Sequence, residues 1–372
     1  MFETRSTGDA AQLLAPSLHF RQKAPPSRSG LSRSSTLIPQ TACMAEDRAP
    51  SEAIVICTRN RPGELRRTLM SIAEHPPSQD AVLVVVDASD PQARARNRQT
   101  VDPPRPSIPC AYWPYGDTPS SSRQRNYALE RLPESIEIVH FLDDDVTVHA
   151  DYFEALSAVL RTESDVGGVG GIVLEPSTDA PSARSERLQS LFFLSCAEDG
   201  HVLPSGSATS AQQSIPNDTS SRRNTEWLNG CSSYRRSLLN RHRFDEALTG
   251  SSMLEDLDLS YRIHRRARLV VEPEARLTHR RSARNRPDAE QYNRVLAVHR
   301  RWFVEKHFDG VAPRLAYWWS LVGRLLAITA SSAPHRTAAR RGLLRGLRTV
   351  LTRSHPLLSD CPPHTGSASG PS

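Results

Sequence analysis

The chain has 372 residues, a net charge of +6 and 38% hydrophobic residues, enough for one large domain or two ordinary ones with part of the chain left unpacked. Six cysteines, at 43, 57, 110, 196, 231 and 361, form no CxxC pair, which excludes a zinc knuckle or a redox pair and fits a reducing cytoplasm. No uncharged apolar run of about 18 residues and no signal peptide is evident, so no bilayer-spanning helix is expected. The positive charge is nearly all Arg, with Lys only at Lys23 and Lys306, and carries no functional information.

Residues 1–50 are rich in Ser, Pro, Ala and Arg without periodicity, and a disordered segment is expected, with Met44 as the translation start. Residues 53–58 form a short apolar strand in which Cys57 acts as a small apolar residue. Pro62 suits the first turn of a helix, Leu65, Leu69 and Ile72 recur at helical spacing, and His75-Pro76-Pro77 stops it. Residues 81–87 are a second apolar strand ending in Asp87, so a βαβ unit with a parallel sheet is predicted.

A Pro-rich loop over 102–119 leads into a Ser-capped helix that carries Arg123 and Arg125 in its first turns. These read equally as an anion site or as a surface Arg pair. Next, residues 136–142 form a β-branched, apolar strand that runs straight into Asp143, Asp144 and Asp145. Three adjacent acids gain nothing from a core. They read as a solvated turn, or as carboxylates converging on one hard cation, since alternate acids such as Asp143 and Asp145 can share it and ligands collect at the carboxyl ends of strands.

Tyr152, Phe153, Leu156, Val159 and Leu160 mark an amphipathic helix, and residues 166–174 another strand whose glycines imply close backbone approach. Residues 175–225, with an apolar island at 188–194, are expected to be a long mobile loop. Glu255 and Asp256 open a helix, where acids are favoured by the dipole in any case. From 311 to 353 there are eight Arg and no acid, interleaved with Tyr317, Trp318, Trp319 and leucines. This region reads as a helix lying on anionic lipid or as a helix packed on the domain's own surface. Nucleic acid is not expected as a partner, because no nucleic-acid module is recognisable.

Taken together, these stretches resemble the family 2 glycosyltransferases of GT-A fold. The run Ile54 to Pro62 (IVICTRNRP) is similar to that family's first strand and donor-base loop, and the run from Val84 to Ser89 to its second strand. Arg125-Asn126 resembles the ARN element, and Asp143-Asp144-Asp145 the DxD motif. Asn229-Gly230, Tyr234-Arg235-Arg236, Phe244-Asp245-Glu246 and Glu255-Asp256 with Asp258 resemble the acceptor half, and His279 stands where many members carry a histidine. The likeness covers about residues 53–281 and is nearest to transferases of bacterial surface polysaccharides and glycolipids, rhamnosyltransferase-like enzymes among them. Two features depart from the pattern: Ser122 replaces the usual glycine before the ARN-like helix, and the second strand ends Asp-Ala-Ser.

The resemblance implies an α/β GT-A domain over 51–285; charge and composition beyond it predict a basic helical extension over 286–355 and a disordered tail over 356–372. The resemblance also implies an inverting, metal-dependent transfer from a UDP-, dTDP- or GDP-sugar to a hydroxyl of a glycan or lipid-linked acceptor, in the cytoplasm or on the cytoplasmic face of a membrane. Asp145, Asp143 and His279 would hold Mn²⁺ or Mg²⁺. Thr58, Arg59, Asp87, Arg125, Asp143 and Asp144 would bind the nucleotide sugar. Asp256 would be the base, with Glu255 as the runner-up or a positioning group. His279 reads alternatively as a surface histidine. A non-catalytic module of the same fold that docks on membrane or nucleic acid, and a nucleotidyltransferase, are the alternatives.

Overall fold

The structure is a computed structural model that describes residues 49–101, 108–175, 183–213, 221–250, 252–282, 287–331 and 333–359. Residues 1–48 with Met44, residues 360–372, and parts of the two expected loops (102–107, 176–182 and 214–220) lie outside the described residues.

Strand β1 (Glu52–Thr58) leads into helix α1 (Pro62–Glu74), which starts on Pro62 and ends before the Pro76-Pro77 pair, as the sequence predicts. Strand β2 (Ala81–Asp87), α2 (Pro91–Val101), β3 (Cys110–Pro114), α3 (Ser121–Arg131) and β4 (Ile138–Asp143) complete a parallel half. After the acidic turn come β5 (Val146–Val148), α4 (Tyr152–Thr162) and β6 (Val166–Leu174). Next are α5 (Ala183–Leu191), β7 (Arg223–Thr225), β8 (Ser232–Arg235), α6 (Arg236–Arg241), α7 (Glu255–His264) and β9 (Arg268–His279). Four helices finish the described chain: α8 (Ala289–His307), α9 (Ala312–Ala330), α10 (Arg336–Leu351) and α11 (Pro356–Ser359).

Among the described residues, one mixed sheet runs β3-β2-β1-β4-β8-β6-β9-β5, with β7 also on β9. The period of two along β1 divides the core. Ile54 and Ile56 pack with α1 and α4 on one face, and Ala53 and Val55 pack with α3 and α7 on the other. A third core joins α7 to α8–α11 through Leu257, Phe303, Tyr317, Leu343 and Leu358. Register positions the site. Thr58 lies opposite Asp87 and Cys57 opposite Asp143, so the ends of β1, β2 and β4 share one edge of the sheet.

Two expectations are corrected. The 175–225 stretch contains helix α5 and a turn whose Ala211 and Gln212 are buried, with Gln212 donating to the Gly171 carbonyl at 3.2 Å. Its apolar island packs on α9: Phe192 and Trp319 have ring centroids 4.9 Å apart, and the Trp319 indole donates to the Leu191 carbonyl at 2.9 Å. Residues 356–359, expected in a disordered tail, form α11 because Leu357 and Leu358 find the third core. The basic extension also packs on the domain through that core. Yet α9 leaves Val311, Leu315, Trp319, Val322 and Leu326 exposed at steps of three and four, a continuous apolar stripe.

Candidate active site

The three acids that end β4 have separate partners. Asp144 is buried: it accepts from the Thr58 hydroxyl at 2.6 Å and from Arg61 at 3.0 Å, and its carbonyl accepts from Thr68. Burial pushes its carboxyl up to about 6 against the pull of Arg61 and Thr58. Asp145 is also buried. Burial alone would raise it, but hydrogen bonds from His279 (3.1 Å) and the Ser282 amide (2.9 Å), with the charge of Arg61, hold it at about 2. Asp143 remains partly exposed and meets Arg125 at 3.3 Å.

One ligand atom each from Asp143, Asp145 and His279 can lie within 4.8 Å of one another. The pairing of β5 with β9 brings this about, because Val146 lies opposite His279. Two oxygen donors and an imidazole nitrogen fit a hard divalent cation, with the nitrogen inclining the choice to Mn²⁺. Behind the ring, Glu175 Oε1 lies 3.9 Å from His279 Nδ1, beyond hydrogen-bond reach, and Glu175 Oε2 is ion-paired with Arg281.

These groups line a cavity of about 550 Å³ together with Thr58, Arg59, Gln124 and Glu255. Gln124 ties the strand ends together by donating to the carbonyls of Thr58 and Val86. The cavity's thiol, Cys57, is pushed up to about 12 by burial and is inert. Helix α7 supplies the opposite wall. It is entered through left-handed residues, Ser252 (φ 47°) and Leu254 (φ 71°), a conformation that costs a non-glycine residue about 1 kcal/mol and clusters at functional sites. Burial, then the neighbouring Asp256, raises Glu255 well above the carboxylate range despite Arg125 at 3.2 Å. Burial likewise raises Asp256, which faces a second, larger cavity.

Two residues expected at the nucleotide, Asp87 and Arg125, do not line this cavity. Asp87 is fully buried and its oxygens are taken by the Ser89 amide (2.7 Å), Asn97 (2.8 Å) and the Tyr112 hydroxyl (2.5 Å), so it shapes the strand end from beneath. Arg125 is buried rather than lining the cavity. It stacks between Phe141 and Phe244 and bridges Asp143 to Glu255. Gly230 belongs to this arrangement, since a Cβ there would come within 2.9 Å of Arg125 Nη2. Sequence reasoning gave no role to Arg61 or Glu175. Arg61 had a signal, one residue before the helix-starting Pro62; Glu175 had none, because only the β6–β9 register sets it beside His279.

A family model described as Glycosyltransferase like family 2 matches residues 50–303. The chain belongs to that family. This glycosyltransferase is therefore an enzyme of sugar transfer, which decides against the nucleotidyltransferase and the non-catalytic module. Three solved structures are similar at low identity. The mannosyltransferase PcManGT from Pyrobaculum calidifontis, in complex with GDP-Man and Mn²⁺, has 16% identity and TM-score 0.49 over 82% of this chain and 88% of that one. GalNAc-T7 with UDP, GalNAc and Mn²⁺ has 12% identity and TM-score 0.49 over 84% of this chain and 59% of that one. S. aureus TarS 1-349 has 16% identity and TM-score 0.45 over 82% and 91%. Curated protein sequences gave no match. No helix among the described residues of the glycosyltransferase is long and apolar enough to cross a membrane.

Proposed function

We propose that this glycosyltransferase moves a sugar, with inversion, from a nucleotide-diphosphate sugar to a hydroxyl of a glycan or lipid-linked acceptor in a metal-dependent reaction. The observation that carries the reading is that Asp143, Asp145 and His279 converge in the same cavity that Glu255 lines from the opposite wall. A divalent cation bound there would supply Lewis-acid neutralisation of the leaving diphosphate. Asp145 and His279 would hold it, with Asp143 nearby. Thr58 and Arg59, at the end of β1, flank the nucleoside. Asp256 takes the acceptor proton, as its raised affinity for a proton suits a base, while Glu255, tied to Arg125, positions it. The test is donor turnover by the purified protein with UDP-, dTDP- and GDP-sugars, with and without Mn²⁺. Turnover with one donor that chelator abolishes and Mn²⁺ restores is expected; undiminished turnover in chelator refutes the metal role.

A second reading concerns location. The exposed stripe on α9, beside a region with eight Arg and no acid over 311–353, supports docking on an anionic membrane surface.

A further inference from the structure

Asp256 and Glu255 are adjacent in sequence but open on different cavities. Glu255 faces the 550 Å³ cavity with the acidic cluster; Asp256 lines a second, partly open one of about 1130 Å³ between α5, α8, α9 and the start of α7. That volume is slightly above the range of about 300–1,000 Å³ usual for a small-molecule site. Its walls are mainly apolar, with Leu188, Phe192, Trp227, Leu257 and Leu326 among them. A glycan would leave such walls in contact with hydroxyls they cannot satisfy.

Two cations stand in this apolar wall. Arg300 is 3% exposed and Arg324 is half-buried, and neither has an ion pair with a carboxylate among the described residues. Arg300 donates to the Ser205 carbonyl at 2.8 Å and the Ser320 hydroxyl at 2.7 Å, but its buried Nε has no hydrogen-bond partner among the described residues. Arg324 donates to Asn293 at 3.0 Å. Burial without a counter-charge lowers both guanidinium groups, Arg300 to about 10. Buried charges are normally paired, so an anion from outside the protein is the missing partner.

We propose that the larger cavity is the acceptor subsite and that the acceptor is an anionic amphiphile. Its hydrocarbon body fills the cavity, its carboxylate or phosphate pairs with Arg300 and Arg324, and its hydroxyl is presented to Asp256. This rests on the transferase reading above. In the transfer, the acceptor oxygen bonds to the anomeric carbon as the bond from that carbon to the diphosphate oxygen breaks. The electron pair leaves with the nucleoside diphosphate and the hydroxyl proton passes to Asp256. The exposed stripe on α9 includes Leu326, which lines the cavity, so a membrane-borne acceptor has a short route in.

The test uses the full-length protein and a fluorescent fatty-acid probe, displaced by octanoate, decanoate, dodecanoate, dodecyl phosphate and dodecanol below their micellar concentrations. Affinity is expected to rise about fourfold per methylene, from the transfer free energy of a CH₂ group. Dodecanoate or dodecyl phosphate should bind at least about tenfold tighter than dodecanol, the lower end for a hydrogen bond to a charged group. Arg300→Met should reduce that preference, and Arg300→Met with Arg324→Met should erase it. Ala327→Trp, at an exposed position of α9 on the cavity wall, should weaken all five ligands without touching the fold. Transfer to 3-hydroxy- and 12-hydroxydodecanoate, read by mass spectrometry, places the hydroxyl near to and far from the anion; sugar transfer to at least one is expected, and transfer to neither overturns the acceptor assignment. No displacement, no dependence on chain length, or equal binding of dodecanol and dodecanoate overturns the proposal. Mn²⁺-dependent donor hydrolysis, measured alongside, reports the donor half alone: its loss with amphiphile binding retained fails the transferase reading, and its retention without amphiphile binding fails this one.

Discussion

Asp258 sits in the first turn of α7, fully buried, and fixes the helix that presents Glu255 and Asp256. One of its oxygens accepts from Arg262 (2.9 and 3.1 Å); the other meets His307 and Lys306, both at 2.8 Å on α8. Burial would raise this carboxyl, yet the His307 hydrogen bond and the surrounding cations hold it well below the usual carboxylate range. Asp258→Asn removes the charge and keeps the shape, leaving Arg262 facing a neutral amide while Lys306 keeps its ion pair with Asp245 at 2.6 Å. Breaking a buried ion pair costs about 3–5 kcal/mol. With about 2.1 cal/mol/K of unfolding entropy per residue over roughly 300 folded residues, that is about 5–8 °C in Tm at pH 7.5. A depressed carboxyl contributes stability above its unfolded value, about 3.9, and loses it as pH falls through the folded value. His307, lowered by burial, is neutral at pH 7.5; its protonation below about 6.5 costs both proteins, and the variant more. The gap in Tm between wild type and variant should therefore not narrow between pH 7.5 and 5.5, and should close only below about pH 4. Differential scanning calorimetry checks this. A Tm loss under about 2 °C, or a gap that closes by pH 5.5, refutes the reasoning.

Other outcomes follow from the same geometry. Asp145→Ala should lower metal-dependent donor turnover by at least about a hundredfold, while circular dichroism stays native. Asp256→Asn should keep donor-induced thermal stabilisation and lose transfer by about 10²–10⁴-fold, the usual worth of a general base; unchanged transfer moves the base elsewhere. Arg125→Met removes the charge that lowers both Glu255 and Asp256, so the acid limb of the pH–rate profile should move to higher pH, and an unmoved limb contradicts the coupling. Leu315→Glu with Trp319→Glu should reduce co-sedimentation with anionic vesicles without changing donor hydrolysis in solution; equal sedimentation removes the membrane reading.

By itself the sequence determined the sheet's frame and the place of its chemistry. An apolar strand ending in acids can put those acids only at the sheet edge, so residues 54–58, 81–87 and 138–145 were legible from local pattern, as was the helix started by Pro62 and stopped by Pro76. Tertiary structure decided what each group does there. Asp87 and Arg125 look available as sequence, but partners far along the chain, Tyr112 for one and Glu255 for the other, bury and saturate them. Asp144 and Asp145 are neighbours with the same side chain, yet burial raises the one against the pull of Arg61 and Thr58, and His279 with Ser282 lowers the other. The larger cavity joins residues from α5 to α9 that no local pattern connects. Desolvation and long-range pairing set charge and access, and neither is encoded in any short window of the chain.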